Sequence, residues 1–168
     1  IGRFQPLHHG HLMMKKACAK KVERLVIALG SADATPSCKN PFTVMERAEM
    51  VRRGMKEIGV GNYEIVEIPD CDSDEEWVQG VIKRMYEITP TPPVQPLLTS
   101  PSKGEEIDCL SPSRGGGVRG GESLPFDMAW SGSEWVQRVF KEYGLPIEAV
   151  KEFPGLSGTK IRKKMTQG

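Results

Sequence analysis

No sign of charge dominates the 168-residue sequence: 23 Lys and Arg stand against 22 Asp and Glu, for a formal charge of +1. That balance argues against a general nucleic-acid or membrane-surface binder, either of which works through a surplus of cations. No apolar run approaches the ~18 residues of a membrane span, and the hydrophobic content is a modest 38%. No basic-then-apolar leader opens the chain, which predicts a protein not marked for export. No Cys-x-x-Cys pair occurs either. Cys18, Cys38, Cys71 and Cys109 are scattered, the last three without a nearby histidine. Reduced, unmetallated thiols in a cytoplasmic protein are the expectation. An initiating methionine is also missing. The chain starts at Ile1 and runs straight into Gly2-Arg3-Phe4, so it reads as a piece of a longer chain with the front of its first strand absent. At about 150 residues per domain the length predicts one domain, and such a domain buries roughly 70% of its extended surface without staples.

What is present is an alternation of helix and strand signals. Residues 10–22 place Leu12, Met13, Ala17 and Ala19 or Val22 at roughly helical spacing, with lysines on the other face. Residues 24–29 (RLVIAL) form a short, almost wholly apolar run that suits a strand covered on both faces. Thr43-x-x-Glu46 is a capping box opening a helix to about Ile58, and Ser73-x-x-Glu76 is a second, leading a helix through Trp77, Val81, Ile82 and Met85. Tyr63–Ile68 alternates as a strand does; Asp127–Trp130 and Ala149–Phe153 read as further strands. Glu134–Tyr143 reads as a helix stopped by Gly144, and a last short helix begins near Thr159. Strands alternating with helices predict an α/β fold, a parallel sheet with helices on both faces. Ligands of such sheets bind at the carboxyl ends of the strands, which directs attention to loops 2–11, 30–43, 69–76, 131–134 and 154–159.

Residues 91–124 break the rhythm. Nearly half of them are Pro, Gly or Ser, and GGGVRGG lies among them. A phosphate loop would need a strand before the glycines and a helix after them, and neither pattern is there. Few large apolar residues are available to offset the entropy of ordering. The expectation is a disordered surface insertion in a single domain spanning 1–168.

All three histidines, His8, His9 and His11, fall within four positions, where the first strand should hand over to the first helix. Gly10 permits close backbone approach there, and the helix start presents free N–H groups. Two imidazoles and a helix terminus favour an anion, above all a phosphate whose charge grows during reaction. A metal site would want a carboxylate or thiolate close by, and the loop supplies none. At the other end, Ser157 and Thr159 can cap the last helix and offer hydroxyls and N–H groups to a phosphate. Arg162, one turn further on, can face the same anion. An ordinary capped helix with a solvated basic face (Lys160, Arg162, Lys163, Lys164) is the competing reading.

Taken together, Gly-Arg-Phe-Gln-Pro-x-His-x-Gly-His at 2–11 and Ser-Gly-Thr-x-Ile-Arg at 157–162 resemble the HxGH-type nucleotidylyltransferases, and within them the archaeal-type nicotinamide mononucleotide (NMN) adenylyltransferases. Gly30-Ser31-Ala32, Asn40-Pro41-Phe42-Thr43, Trp77 and Ser131-Gly132 agree with that family, and the resemblance covers nearly the whole chain outside 91–124. It implies a Rossmann-like, doubly wound parallel sheet of nucleotidylyltransferase type. It also implies transfer of the adenylyl group of ATP to NMN, giving NAD and pyrophosphate, with Mg2+ accompanying ATP. Transfer to another phosphate acceptor such as FMN or phosphopantetheine, or a non-catalytic nucleotide-binding or damaged copy, remains the alternative. By resemblance, His8, His11, Arg3 and Arg162 carry the catalysis. Gly2, Phe4, Gly10, Lys39, Ser157 and Thr159 hold ATP, while Ser31, Asp74 and Trp77 hold NMN. No protein-held metal is implied. ATP and NMN are the partners, a homo-oligomer is common in the family, and neither nucleic acid nor membrane is involved. Trp77 either stacks on the cationic nicotinamide ring or is a core aromatic of its amphipathic helix. Lys39, Asp74 and Ser133 depart from the family, which often has Arg, Asn and Asn there. Lysine keeps the charge of Arg but not its bidentate fork.

Overall fold

An uninterrupted aliphatic stretch becomes strand β1 (Leu25–Leu29), which pairs in parallel with β2 (Tyr63–Glu67) from Leu25 opposite Tyr63 to Leu29 opposite Glu67. A second parallel pair joins β3 (Ala129–Ser131) to β4 (Ile147–Ala149). The computed structural model describes residues 1–89, 124–150 and 157–165; the expected insertion at 91–124 lies outside them apart from Leu124. Residues 1–2 sit between the two pairs. Gly2 bridges Leu29 in parallel, the Ile1 amine donates to the Trp130 carbonyl, and Ser131 Oγ donates to the Ile1 carbonyl. The chain order is α1 (His9–Ala19), β1, α2 (Val44–Glu57), β2, α3 (Asp74–Ile88), β3, α4 (Glu134–Glu142), β4 and α5 (Gly158–Met165).

Caps set where the helices begin. The Thr43 hydroxyl accepts from the Glu46 amide while the Glu46 carboxylate accepts from the Thr43 amide, a complete capping box for α2. Ser73 and Ser133 cap α3 and α4 through their hydroxyls. Past α4, Gly144 takes φ +68, a left-handed conformation that costs glycine nothing and ends the helix.

Alternate residues of β1 point to two different cores. Leu25, Ile27 and Leu29 pack with Cys18 and Ala19 of α1 and Ala48, Val51 and Met55 of α2. Ala28 packs on the other side with Trp77, Val78, Val81 and Met85 of α3 and Val136, Val139 and Phe140 of α4. Each face of the strands is therefore covered by its own pair of helices, as a doubly wound α/β domain requires. Each large aliphatic side chain fully buried in this way stabilises the fold by about 1.5–3 kcal/mol.

Two expectations are corrected. The lysines of α1 do not all face outward: Lys15 is 2% exposed, whereas Met13 and Ala17, assigned to the apolar face, are exposed. A lysine stem is apolar enough to enter a core, and a periodicity count scores it only by its charge. The fourth strand runs Ile147–Ala149 rather than from Ala149 onward, because the short β3 takes its partners directly after Pro146, whose carbonyl accepts from Ala129; residues 151–153 of the expected strand are outside the described set. No helix among the described residues is long and apolar enough to cross a membrane. Cys18, Cys38 and Cys71 form no disulfide, and Cys109 is not among the described residues.

Candidate active site

One cavity of about 670 Å3 opens where the strands end, and all five loops picked out by the sequence contribute to its wall. The 2–11 loop brings Gly2, Arg3, Phe4, His8, Gly10 and His11. Gly30 and Ser31 follow β1, Asp70 and Cys71 follow β2, and Ser131 to Ser133 end β3 and lead into α4. Ser157, Gly158, Thr159 and Arg162 arrive with α5. Two helix N-termini, those of α1 and α5, thus open on the same space, with Arg3 and Arg162 beside them. That combination selects for a polyanion.

His8 is the N-cap of α1, and its carbonyl accepts from the His11 and Leu12 amides. The two imidazoles stack with centroids 3.6 Å apart, and the His11 ring meets the Phe4 ring edge-on at 5.0 Å. His11 Nδ1 accepts from the His8 backbone N–H at 3.4 Å. Burial, and then the nearby Lys15 charge, push the His11 pKa down to about 3. His11 is therefore neutral at pH 7, and with Nδ1 used as an acceptor its proton resides on Nε2. It offers the cavity a donor, not a full charge.

The α5 terminus is locked against the 2–11 loop. Arg162 donates to the Gln5 carbonyl and to Thr159 Oγ1, and Ser157 Oγ accepts from the Lys160 amide. A Cβ on Gly158 would come within 3.0 Å of the Gln5 carbonyl oxygen, so the close approach needs a glycine. Gln5, itself buried, makes two hydrogen bonds to the backbone of Phe42, at 2.8 and 3.0 Å.

Both non-glycine residues with positive φ among the described residues are in this wall: Phe4 and Ser31, each at +51. Such conformations cost on the order of 1–3 kcal/mol and persist only where their surroundings hold them. Holding them is Arg47, which the sequence reading did not single out. Its guanidinium donates to the carbonyls of Arg3 (2.9 Å), Gly30 (2.7 Å) and Ser31 (2.9 Å). The signal available in the sequence was an arginine four residues after the Thr43 cap, on the buried face of an amphipathic helix.

Of the residues assigned to NMN, Ser31 and Trp77 reach the cavity and Asp74 does not. Ser31 Oγ donates to Asp70 at 3.0 Å. Trp77 is 3% exposed, packed against Phe140 and edge-on to Trp135 at 4.6 Å, so it is a core aromatic that also lines the cavity. The exposed indole in this wall is Trp135, 42% exposed and absent from the sequence assignment. Asp74 is turned to α4, accepting from Trp135 Nε1 at 3.1 Å and from Arg138 at 2.9 Å. Lys39 is likewise exposed and away from the cavity wall. Among the described residues no three His, Cys, Asp or Glu side chains are grouped to hold a metal ion. Among the described residues Asp70 is the one carboxylate in the wall, a donor set that fits a hard cation arriving on phosphate oxygens and keeping most of its water.

The cytidylyltransferase-like family matches residues 1–164. The nicotinamide-nucleotide adenylyltransferase of Methanolobus tindarius is 30% identical over all of this chain and 76% of its own length. The enzyme of the same name from Thermococcus onnurineus is 28% identical over all of this chain and 71% of its length. Among solved structures, a bifunctional NMN adenylyltransferase/ADP ribose pyrophosphatase from Francisella tularensis superposes with a TM-score of 0.68 at 20% identity. That match covers 99% of this chain and 40% of the bifunctional protein, so this chain spans about two fifths of it. The same protein complexed with AMP and a Mn ion superposes with a TM-score of 0.63.

Proposed function

The chain belongs to the cytidylyltransferase-like family, and on that footing we propose that it is a nicotinamide-nucleotide adenylyltransferase, joining ATP and NMN into NAD and pyrophosphate. The observation that carries this reading is the convergence of the α1 and α5 N-termini, with Arg3 and Arg162, on one cavity at the ends of the strands. Relatives named for that activity that run the whole length of this chain support it as well.

An oxygen of the NMN phosphate attacks the α-phosphorus of ATP, the bond from that phosphorus to the bridging oxygen of the β-phosphate breaks, and pyrophosphate leaves with the electron pair. Nothing covalent forms on the protein. Its contribution is position and charge stabilisation, as in other phosphoryl transfers. The His11 Nε2–H donates to a phosphate oxygen as negative charge shifts toward the leaving group, with His8 stacked against it. Arg3 and Arg162 grip phosphate oxygens, which guanidinium forks suit. The N–H groups of α5, with Ser157 and Thr159, take the triphosphate end; the N–H groups near Gly10 take the α-phosphate. Gly2 and Phe4 supply the backbone wall against which ATP lies. Ser31 and Trp77 lie on the acceptor side. Mg2+ riding on the triphosphate would lower its charge, and Asp70 is the carboxylate that could take one of its waters. Lys39 and Asp74 lie outside the cavity wall, and this reading assigns them no substrate contact.

The test is NAD formation from ATP and NMN with Mg2+, followed by pyrophosphate release beside a panel of other phosphate acceptors. NAD and pyrophosphate are expected in equal amounts and only when both substrates are present. Turnover of another acceptor with silence toward NMN would overturn the substrate. Silence with every acceptor, from folded protein, would overturn the enzyme.

A further inference from the structure

Arg47 is fully buried, and it contributes nothing to the cavity wall. Among the described residues every hydrogen bond its side chain makes is to a backbone carbonyl: Nη1 to Arg3 and Gly30, Nη2 to Ser31, and Nε, at 3.4 Å, to Thr43. Those carbonyls belong to two separate loops. Arg3 precedes Phe4 in the loop that faces the triphosphate, whereas Gly30 and Ser31 form the loop on the acceptor side. Phe4 and Ser31 are the two residues held in the left-handed region. Arg47 directly follows the complete capping box, Thr43 with Glu46, that fixes the start of α2. Gln5 is tied to the same helix start through both of its bonds to Phe42.

We propose that Arg47 is a positioning residue that sets the spacing between the ATP-side loop and the acceptor-side loop, and so the line of attack of one phosphate on the other. The proposal rests on the adenylyltransferase reading. Only a guanidinium can do this: its planar fork satisfies three carbonyls at once, where an ammonium is a point charge on a flexible stem. Removing the fork leaves each loop able to hold its own substrate but frees the distance between them. A misplacement of about 1 Å costs roughly 100-fold in rate when two reactants must meet in line.

Arg47→Lys and Arg47→Met are compared with the unaltered protein. Thermal melting establishes folding, calorimetry measures ATP alone and NMN alone, steady-state assays give kcat, and hydrogen exchange follows peptides covering 2–8 and 28–33. For Arg47→Lys, both binary affinities are expected to stay within about threefold while kcat falls about 100-fold, with faster exchange in both loops. Arg47→Lys carries the test if Arg47→Met does not fold. A kcat within threefold of the unaltered protein would overturn the proposal. So would a kcat loss matched by equal losses of both affinities or of folded protein, since that is the mark of a mere staple. If the unaltered protein makes no NAD, the adenylyltransferase reading fails and the exchange data decide the loop-spacing role. Unchanged exchange in either loop then overturns it, and faster exchange in both sustains it.

Discussion

Replacing His11 with Ala is expected to lower kcat for NAD formation by about 10²–10³-fold, the usual cost of removing one preorganised donor to developing charge. The size follows from where the ring is. His11 sits in the first turn of α1, held by the Phe4 edge, the His8 face and the His8 amide, so its orientation needs no adjustment at the moment of reaction. Alanine keeps the helix, because the His11 backbone amide still donates to the His8 carbonyl. Melting temperature should therefore change little while kcat collapses. His9→Ala is the control: His9 is exposed and outside the cavity wall, and activity within twofold of the unaltered protein is expected. The pH profile separates a neutral donor from a cation. With a pKa pushed down to about 3, free His11 is neutral throughout the working range. The profile of kcat/KM, which reports the free enzyme, should then show no limb belonging to His11 between pH 5 and 8. An acidic limb near 6.5 that vanishes in His11→Ala would make His11 a titrating cation and refute the donor role. Bound triphosphate favours the protonated ring, so any limb belongs in kcat rather than in kcat/KM.

How far such a site is legible in the sequence depends on the range of the interactions that build it. Thr43 with Glu46, and the Ser73 cap, are local events, and helices α2 and α3 start where those residues say. The β1 run is apolar at every position because it faces a helix pair on each side, and it reads as a buried strand for that reason. The five loops were legible through the alternation alone, since parallel strands leave all their carboxyl ends on one edge. Asp74 was not legible in this way. Its partners, Trp135 and Arg138, lie 61 and 64 residues on, and nothing local announces that the carboxylate turns from the cavity to meet them. Arg47 was hidden by the same range effect: a solvated helix face and a buried anchor for three distant carbonyls are the same letter in the sequence. Trp77 could be read two ways because an amphipathic helix and a ligand wall both call for an aromatic there. The structure gives it both a core and a cavity face.

Lys15 is where sequence and structure disagree most, and Lys15→Met should turn that disagreement into the largest stability change in the molecule. Lys15 is 2% exposed and its ammonium finds no hydrogen-bond partner among the described residues; the Phe4 ring, 3.6 Å from Nζ to the centroid, and the neighbouring Cys18 offset its burial only in part. Burial drives its pKa down from 10.5 to about 7. A lysine depressed in the folded state is protonated more readily in the unfolded chain, so between those two values unfolding takes up a proton. The penalty is fully present below pH 7 and is relieved as pH rises above it. Stability of the unaltered protein should then climb with pH by up to about 1.4 kcal/mol per unit. The clean window is pH 7 to 9. Above it the Cys18 thiol, raised by burial, works in the opposite direction as the unfolded chain's thiol ionises. Methionine fills nearly the same volume with no charge to desolvate, so Lys15→Met should be more stable at pH 7 by on the order of 3 kcal/mol, or roughly 5–10 °C in Tm for a chain of this size. Urea titrations of both proteins at pH 7, 8 and 9 check the argument. The gap between them should close as pH rises, because the unaltered protein gains what the variant already has. Parallel curves, or a variant less stable at pH 7, would mean that the ammonium is solvated or paired in solution and that the Phe4 ring outweighs its desolvation. Activity provides a second reading of the same substitution. Lys15 lies outside the cavity wall but is the charge that lowers the His11 pKa most, after burial itself, so its removal should raise the His11 pKa without touching a substrate contact.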